Sequence, residues 1–162
     1  MVRFRTIPGG LNPLRMRHWL RAMAWAGLLC VGNAWAALAG DLASVNSDAQ
    51  AFGASTNTSQ TVNAAAKVYT QSLPSGVTVR QYVDASGMVF AVGWEGPVLP
   101  DFERLLGTSF QAYAVAVRQQ KRGVNIQTPD LVIESGGMMR SFVGRAYLPG
   151  KLPANLTARD IR

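Results

Sequence analysis

The feature that most constrains the fold of this chain is the absence of cysteine and histidine after residue 36. The 162 residues include one of each, Cys30 and His18, and both lie in the opening segment. The remaining 126 residues therefore have no disulfide available and must be held together by the packing of an apolar core. That length suits a single domain with a modest core.

The first 36 residues have the pattern of a secretory signal peptide. A basic leader precedes an apolar run at 22–31, and Ala34-Trp35-Ala36 then supplies the small residues that signal peptidase recognises. We predict cleavage between Ala36 and Ala37. The run is about ten residues long, whereas a membrane-spanning helix needs about 20, so we expect no stable membrane span after cleavage; a retained anchor is the alternative. No adjacent arginine pair is present, which favours the general secretory route to the periplasm or the exterior.

The net charge changes when this segment is removed. Five of the 16 basic residues and none of the 9 acidic ones precede residue 37, so the formal charge falls from +7 to +2. A strongly basic chain would suggest nucleic-acid binding. Because the excess charge belongs to the targeting segment, we expect no nucleic-acid partner.

The rest of the chain divides by composition into three parts. Residues 37–66 are mainly Ala, Ser, Thr, Asn, Gln and Gly, which predicts a flexible arm. Residues 67–150 contain the periodic apolar patterns of a single folded domain. Residues 151–162 are predicted to form a trailing C-terminal tail.

The predicted domain contains five strands and one helix. Strands are predicted at 68–73, 77–83, 88–94, 131–134 and 140–148, with a turn at 135–138 between the last two. The run 88–94 is so apolar that both of its faces should be covered, which makes it the central strand. Helical periodicity extends from Asp101 to about Arg122. The order β-β-β-α-β-β predicts an α+β fold, a small antiparallel sheet with one helix packed on one face.

Residues 82–97, Tyr-Val-Asp-Ala-Ser-Gly-Met-Val-Phe-Ala-Val-Gly-Trp-Glu-Gly-Pro, resemble a family of small exported bacterial proteins known as domain of unknown function 2844. The resemblance continues through Leu99-Pro100-Asp101, Leu105-Leu106-Gly107 and the segment 135–140. It implies export and the α+β fold. It implies no catalytic residue and no cofactor.

The lack of histidine and cysteine also limits the chemistry of the exported part. The usual zinc, copper and haem ligand sets are missing, as are Ser-His-Asp and Cys-His arrangements, so we predict no metal and no cofactor. A hydrolase or lyase would have to use Glu95 or Glu134 with Arg140 or Arg145. The simpler interpretation of Glu134 with one of these arginines is an ion pair across a hairpin.

The leading functional hypothesis is a non-catalytic binding or accessory module for another envelope or secreted protein. Methionines in a turn adapt to varied partners, and aromatic side chains on an exposed sheet face would form a binding surface, whereas buried ones would belong to the core. A weaker hypothesis is attachment to anionic lipid or polysaccharide through the bases at 118–122. The candidate binding residues are Tyr82, Trp94, Met138, Arg140 and Arg145.

Overall fold

A computed structural model describes residues 38–61, 64–120 and 123–162. The predicted signal peptide and its cleavage site lie outside these residues. The described helices and strands, in chain order, are α1 (Leu42–Ala51), β1 (Ser55–Gln60), β2 (Lys67–Ser72), β3 (Thr78–Val83), β4 (Val89–Gly96), α2 (Phe102–Leu106), α3 (Phe110–Gln119), β5 (Val124–Gln127), β6 (Val132–Met138) and β7 (Ser141–Tyr147).

The seven strands form one antiparallel sheet in the order β1-β2-β3-β4-β7-β6-β5. The predicted α+β class and antiparallel sheet are confirmed, but the sheet is larger than the small one predicted because β1 and β5 join its two edges. Strand β4 is central, and its first six residues are all buried. Helices cover one face of the sheet.

The strands β3 and β4 are joined by the predicted turn at 84–87. The Asp84 carboxylate accepts hydrogen bonds from the backbone N–H groups of Ser86 (2.8 Å) and Met88 (3.0 Å). Next to the turn, Phe90 has no partner in β3, since Tyr82 pairs with Ala91 and Val83 with Val89. This β-bulge turns Phe90 and Ala91 toward the same side of the sheet.

The predicted helix at 101–122 is interrupted. The Asp101 side chain caps the start of α2, and Gly107, with a φ of 52°, ends it. A 3-10 turn over Gly107–Ser109 then leads into α3. Buried side chains of α2 and α3, including Phe102 and Tyr113, pack on Trp94 and its neighbours in the sheet. The helix is not continuous, and Val117, predicted to face the sheet, is 47% exposed.

The segment 37–66, predicted to be a flexible arm, contains α1 and β1, and this prediction was wrong. Asp41 caps the start of α1 by accepting a hydrogen bond from the Ser44 N–H at 2.9 Å. Leu38 and Val45 are fully buried in the core beneath the helices. Two well-placed apolar residues and a helix cap therefore order a stretch whose average composition indicates disorder.

The tail predicted at 151–162 also packs on the domain. Leu156 and Ile161 are buried with Phe90 on the sheet face opposite the helices. A β carbon on Gly93 would overlap the carbonyl group of Arg162, so glycine lets the tail lie directly on β4. Among the described residues, no helix is both long enough and apolar enough to cross a membrane.

Candidate binding surface

Strands β6 and β7 form a hairpin whose tip is the two-residue loop Met139-Arg140. Met138 pairs with Ser141, so the turn lies beyond the predicted position at 135–138, and residues 132–138 all belong to β6. Met139 and Arg140 have φ angles of 43° and 67°. Two-residue hairpin loops of this kind prefer Asn-Gly, because other side chains are strained at positive φ.

The tip carries exposed apolar side chains. Met139 is 94% exposed, Met138 79% and Val143 54%. Val143 pairs with Gly136, two residues before Met138, so Met138 and Val143 are diagonal neighbours on one face of the hairpin. The term ridge is used below for these three exposed apolar residues at the tip.

A cleft lies on the other face of the same hairpin. It has a volume of about 470 Å³, and Phe142, Leu99 and Val117 contribute its apolar walls. Tyr113 closes its inner end; burial raises the pKa of the Tyr113 phenol, and a hydrogen bond with Ser135 partly offsets this. Since Phe142 alternates with Val143 along β7, the cleft and the ridge occupy opposite faces of one protruding hairpin.

The term hairpin end is used below for this ridge and cleft together. Charged residues of both signs border it: Arg140 lies in the tip loop, Arg118 lines the cleft, and Glu95 is the cross-strand partner of Val143. Both of the predicted binding residues in this region, Met138 and Arg140, are therefore part of the hairpin end.

A second groove, of about 660 Å³, lies on the sheet face opposite the helices, beside the C-terminal segment. It contains Glu95, Glu134 and Arg145, and Arg140 is not part of its lining. Arg145 donates to Glu134 at 2.6 Å, which is the predicted cross-strand ion pair, and Arg80 donates to Glu95 at the same distance. The groove thus collects three of the four residues considered for catalysis.

The arrangement in this groove is that of a structural contact. The Arg145 guanidinium also donates to the carbonyl oxygens of Ala158 and Ile161, so it fastens the C-terminal segment to the sheet. The side chains of Glu95 and Glu134 are 52% and 36% exposed. Carboxylates that transfer protons in enzymes usually lie in sites from which water is excluded, and this groove is open to solvent.

Tyr82 and Trp94 do not form the predicted aromatic surface. Trp94 is fully buried against Phe102 on the helix side, with ring centroids 4.9 Å apart. Tyr82 is 4% exposed on the opposite side, where its hydroxyl group accepts from the Arg162 N–H at 3.0 Å. The structure places both residues in the core, because their strands are covered on both faces.

The residues of the hairpin end that were missed from the sequence include Leu99, Val117, Phe142 and Val143. Val143 and Phe142 were assigned to a strand without a burial direction. Alternation along the strand places Val143 on the same face as Arg145, but Arg145 is only 26% exposed, so this pattern does not show that Val143 is accessible. Among the described residues, no three His, Cys, Asp or Glu side chains are grouped as metal ligands.

The fold and site define a small α+β domain in which helices cover one face of a seven-stranded antiparallel sheet and an apolar hairpin projects from one end. The model of a family described as "Protein of unknown function (DUF2844)" matches residues 34–161, and the chain belongs to this family. A search of curated proteins found no significant match. A search of solved structures found none either.

Proposed function

We propose that this protein is an exported binding module that uses its hairpin end to dock onto another protein of the cell envelope. The observation that carries the proposal is the ridge of Met138, Met139 and Val143, which are 79%, 94% and 54% exposed. Exposed apolar side chains that lie next to one another are typical of interaction sites, whereas single exposed ones are ordinary. Methionine suits such a site because its flexible thioether side chain fills irregular gaps.

The backbone of the tip supports the same proposal. Met139 and Arg140 both adopt positive φ, which costs about 1–2 kcal/mol for each residue with a β carbon. Asparagine and glycine would relieve this cost. The loop instead carries a strained pair, which places an exposed apolar side chain and a basic one at the tip of the hairpin, as expected for a functional loop.

The charge at the margin indicates the chemistry of the partner. Arg140 lies in the tip loop, Arg118 lines the cleft, and Glu95 is the cross-strand partner of Val143. We infer a partner segment with apolar side chains for the ridge and cleft and with acidic groups opposite Arg140 and Arg118. Rim charges of this kind increase the rate of association and make it sensitive to salt.

Export is the other part of the proposal and is supported by the signal-like opening of the sequence. It predicts that the chain recovered from the cell envelope begins at Ala37. Mass spectrometry of the intact protein tests this directly. A chain recovered with its first 36 residues in place would contradict export by this route.

The binding role is tested by capture from a cell-envelope extract with matched variants. The variant with both Met138→Ser and Met139→Ser should lose the captured partner. Val115→Ser is the control, since Val115 is 51% exposed on α3, away from the hairpin, and its variant should retain the partner. Equal capture by both variants would show that the partner uses another surface.

A second candidate function is a hydrolase or lyase that uses the groove containing Glu95, Glu134 and Arg145. Their presence in one groove favours it, and their arginine pairing and exposure weigh against it. Hydrolysis of ester, glycoside and phosphate test substrates that is abolished by Glu134→Gln in a folded protein would support it. Activity that survives both Glu95→Gln and Glu134→Gln would exclude these residues.

A further inference from the structure

The edge strand β1 is open along its whole length. All six of its residues, Ser-Thr-Asn-Thr-Ser-Gln, are exposed, and none is charged, proline or glycine. We propose that two copies of this chain pair through β1, which joins their sheets into one continuous antiparallel sheet. This proposal stands on the sheet edge alone and does not depend on the binding role of the hairpin end.

The hydrogen-bonding pattern fixes which groups of β1 are free to pair. The Thr61 N–H donates to the Ala66 carbonyl oxygen at 3.0 Å, which continues the ladder between β1 and β2. Bonding in antiparallel pairs alternates, so the odd-numbered residues of β1 bond to β2 and the even-numbered ones face outward. Thr56, Thr58 and Gln60 therefore point their N–H and C=O groups away from the sheet. No described residue hydrogen-bonds to these outward groups.

The opposite edge of the sheet differs from β1, because a side chain blocks it at Asn125. The N–H of Asn125, in β5, donates to the Gln120 side-chain oxygen at 2.7 Å. The Gln120 side-chain nitrogen in turn donates to the Asn125 carbonyl oxygen at 3.0 Å. A side-chain amide thus occupies the position of a neighbouring strand. Proteins usually block exposed edges by such devices, and β1 has neither a charge nor a proline to do so.

A second copy of β1 can hydrogen-bond to all of the outward N–H and C=O groups of Thr56, Thr58 and Gln60. With the twofold axis at Thr58, the two Thr58 residues exchange both hydrogen bonds, and Thr56 bonds with Gln60 of the second copy. Asn57 then lies opposite Ser59 of the second copy. Every cross-strand pair is neutral and polar, so no like charges meet, and paired threonines are favourable.

The protected edge explains why this assembly would stop at two copies. Pairing of β1 with β5 of a second copy would be head to tail and would leave a free edge for a third. Gln120 blocks that arrangement at Asn125. A preformed strand also loses less conformational entropy on pairing than a flexible peptide does, which favours a second copy over an extended segment of another protein.

Sedimentation velocity over a concentration series tests the proposal with a charge exchange at Thr58. The unmodified chain should form a dimer, and Thr58→Lys should weaken it by about tenfold or more because two ammonium groups would meet at the axis. A mixture of Thr58→Lys with Thr58→Glu should dimerise again. Gln111→Lys adds the same charge to an exposed position of α3 and should leave the dimer unchanged.

Disulfide trapping tests the register. In a chain that also carries Cys30→Ser, Thr58→Cys should cross-link the two copies, since residue 58 meets itself across the axis. Asn57→Cys should cross-link much less, since residue 57 meets residue 59. A chain that stays monomeric at every concentration would overturn the proposal. A dimer unaffected by Thr58→Lys would also overturn it.

Discussion

The indole ring of Trp94 lies against the backbone of Gly144, its direct partner in the neighbouring strand. A β carbon at residue 144 would overlap two atoms of the indole. The Trp94 indole occupies the space that this glycine leaves on β7. The planes of the Trp94 and Phe102 rings make an angle of 72°. The contact joins the central strand to the hairpin and to α2, so it links the core to the proposed binding surface.

Gly144→Ala should destabilise the protein by about 1–3 kcal/mol, because the new β carbon would overlap both the Trp94 indole and the Glu134 carbonyl oxygen. Gly136→Ala is the matched control. It lies in the same hairpin, where an added β carbon meets nothing within 4 Å and φ is not positive. Urea unfolding followed by circular dichroism measures both free energies of unfolding. Equal effects for the two variants would mean that the indole packing is not tight.

Relief of the strained tip should stabilise the protein at the expense of binding. The variant with Met139→Asn and Arg140→Gly should gain about 1 kcal/mol or more, since these residues accept positive φ. Met138→Asn should give no gain, because Met138 is also exposed but belongs to the strand. The free energies of unfolding in urea test the comparison. A gain for Met138→Asn alone, or for neither variant, would contradict the strain argument.

Arg145 should matter more for stability than its partner Glu134. Arg145→Ala removes the contacts with the carbonyl oxygens of Ala158 and Ile161 and should cost about 1.5–3 kcal/mol. Glu134→Gln removes only a partly exposed ion pair and should cost less than about 1 kcal/mol. Hydrogen exchange should show the C-terminal segment opening in the first variant and remaining closed in the second. A larger loss of stability in Glu134→Gln than in Arg145→Ala would refute the role given to Arg145.

The turn at Asp84 should make stability depend on acid pH. Burial raises the pKa of Asp84, but hydrogen bonds from the Ser86 hydroxyl and from the backbone N–H groups of Met88, Ser86 and Gly87 outweigh it, so the folded pKa lies below the ordinary value of 3.8. A lowered folded pKa stabilises the fold above pH 3.8, and this contribution is lost as the pH falls through the folded pKa. The destabilisation caused by Asp84→Asn should therefore shrink at low pH.

Two measurements check the Asp84 prediction. An NMR titration of the side-chain carboxyl carbon should give a midpoint below 3.8. Urea unfolding gives the free energies of unfolding of the unmodified chain and of Asp84→Asn. The difference between these two free energies should be smaller at a pH below that midpoint than at pH 7. An unchanged difference would mean that Asp84→Asn acts by a route other than the charge.

Much of the sheet could be predicted from the sequence because its strands have clear periodicity. The apolar run that became β4 and the alternation in β3 determine the centre of the fold. Strand β1 has no apolar residue at all, and its pairing with β2 depends on backbone hydrogen bonds that leave no pattern in composition. The four-residue β5 is too short to show a period. Local patterns therefore reveal the core and miss the edges.

The site was predicted less well than the fold, for a related reason. The apolar run at 88–94 indicates that the strand of Trp94 is covered on both faces, so the burial of Trp94 follows from the sequence. The sequence does not show that the C-terminal segment covers Tyr82. Met138 was identified from the chemistry of the predicted turn, which is local, whereas Arg140 was placed in a strand as a candidate ion-pairing or ligand-binding arginine. Leu99 and Val117 join the hairpin only through tertiary packing, since residues far apart in sequence meet around one cleft.

The most direct test of the proposed binding surface is photo-cross-linking in the living cell from residue 139, with benzoylphenylalanine in place of Met139. The proposal predicts one discrete cross-linked product. Its mass differs from that of two cross-linked copies of this chain, because the partner is another protein. The same probe in place of Val115 should give no such product. Equal cross-linking from both positions, or from neither, would contradict the assignment of the hairpin end as the binding surface.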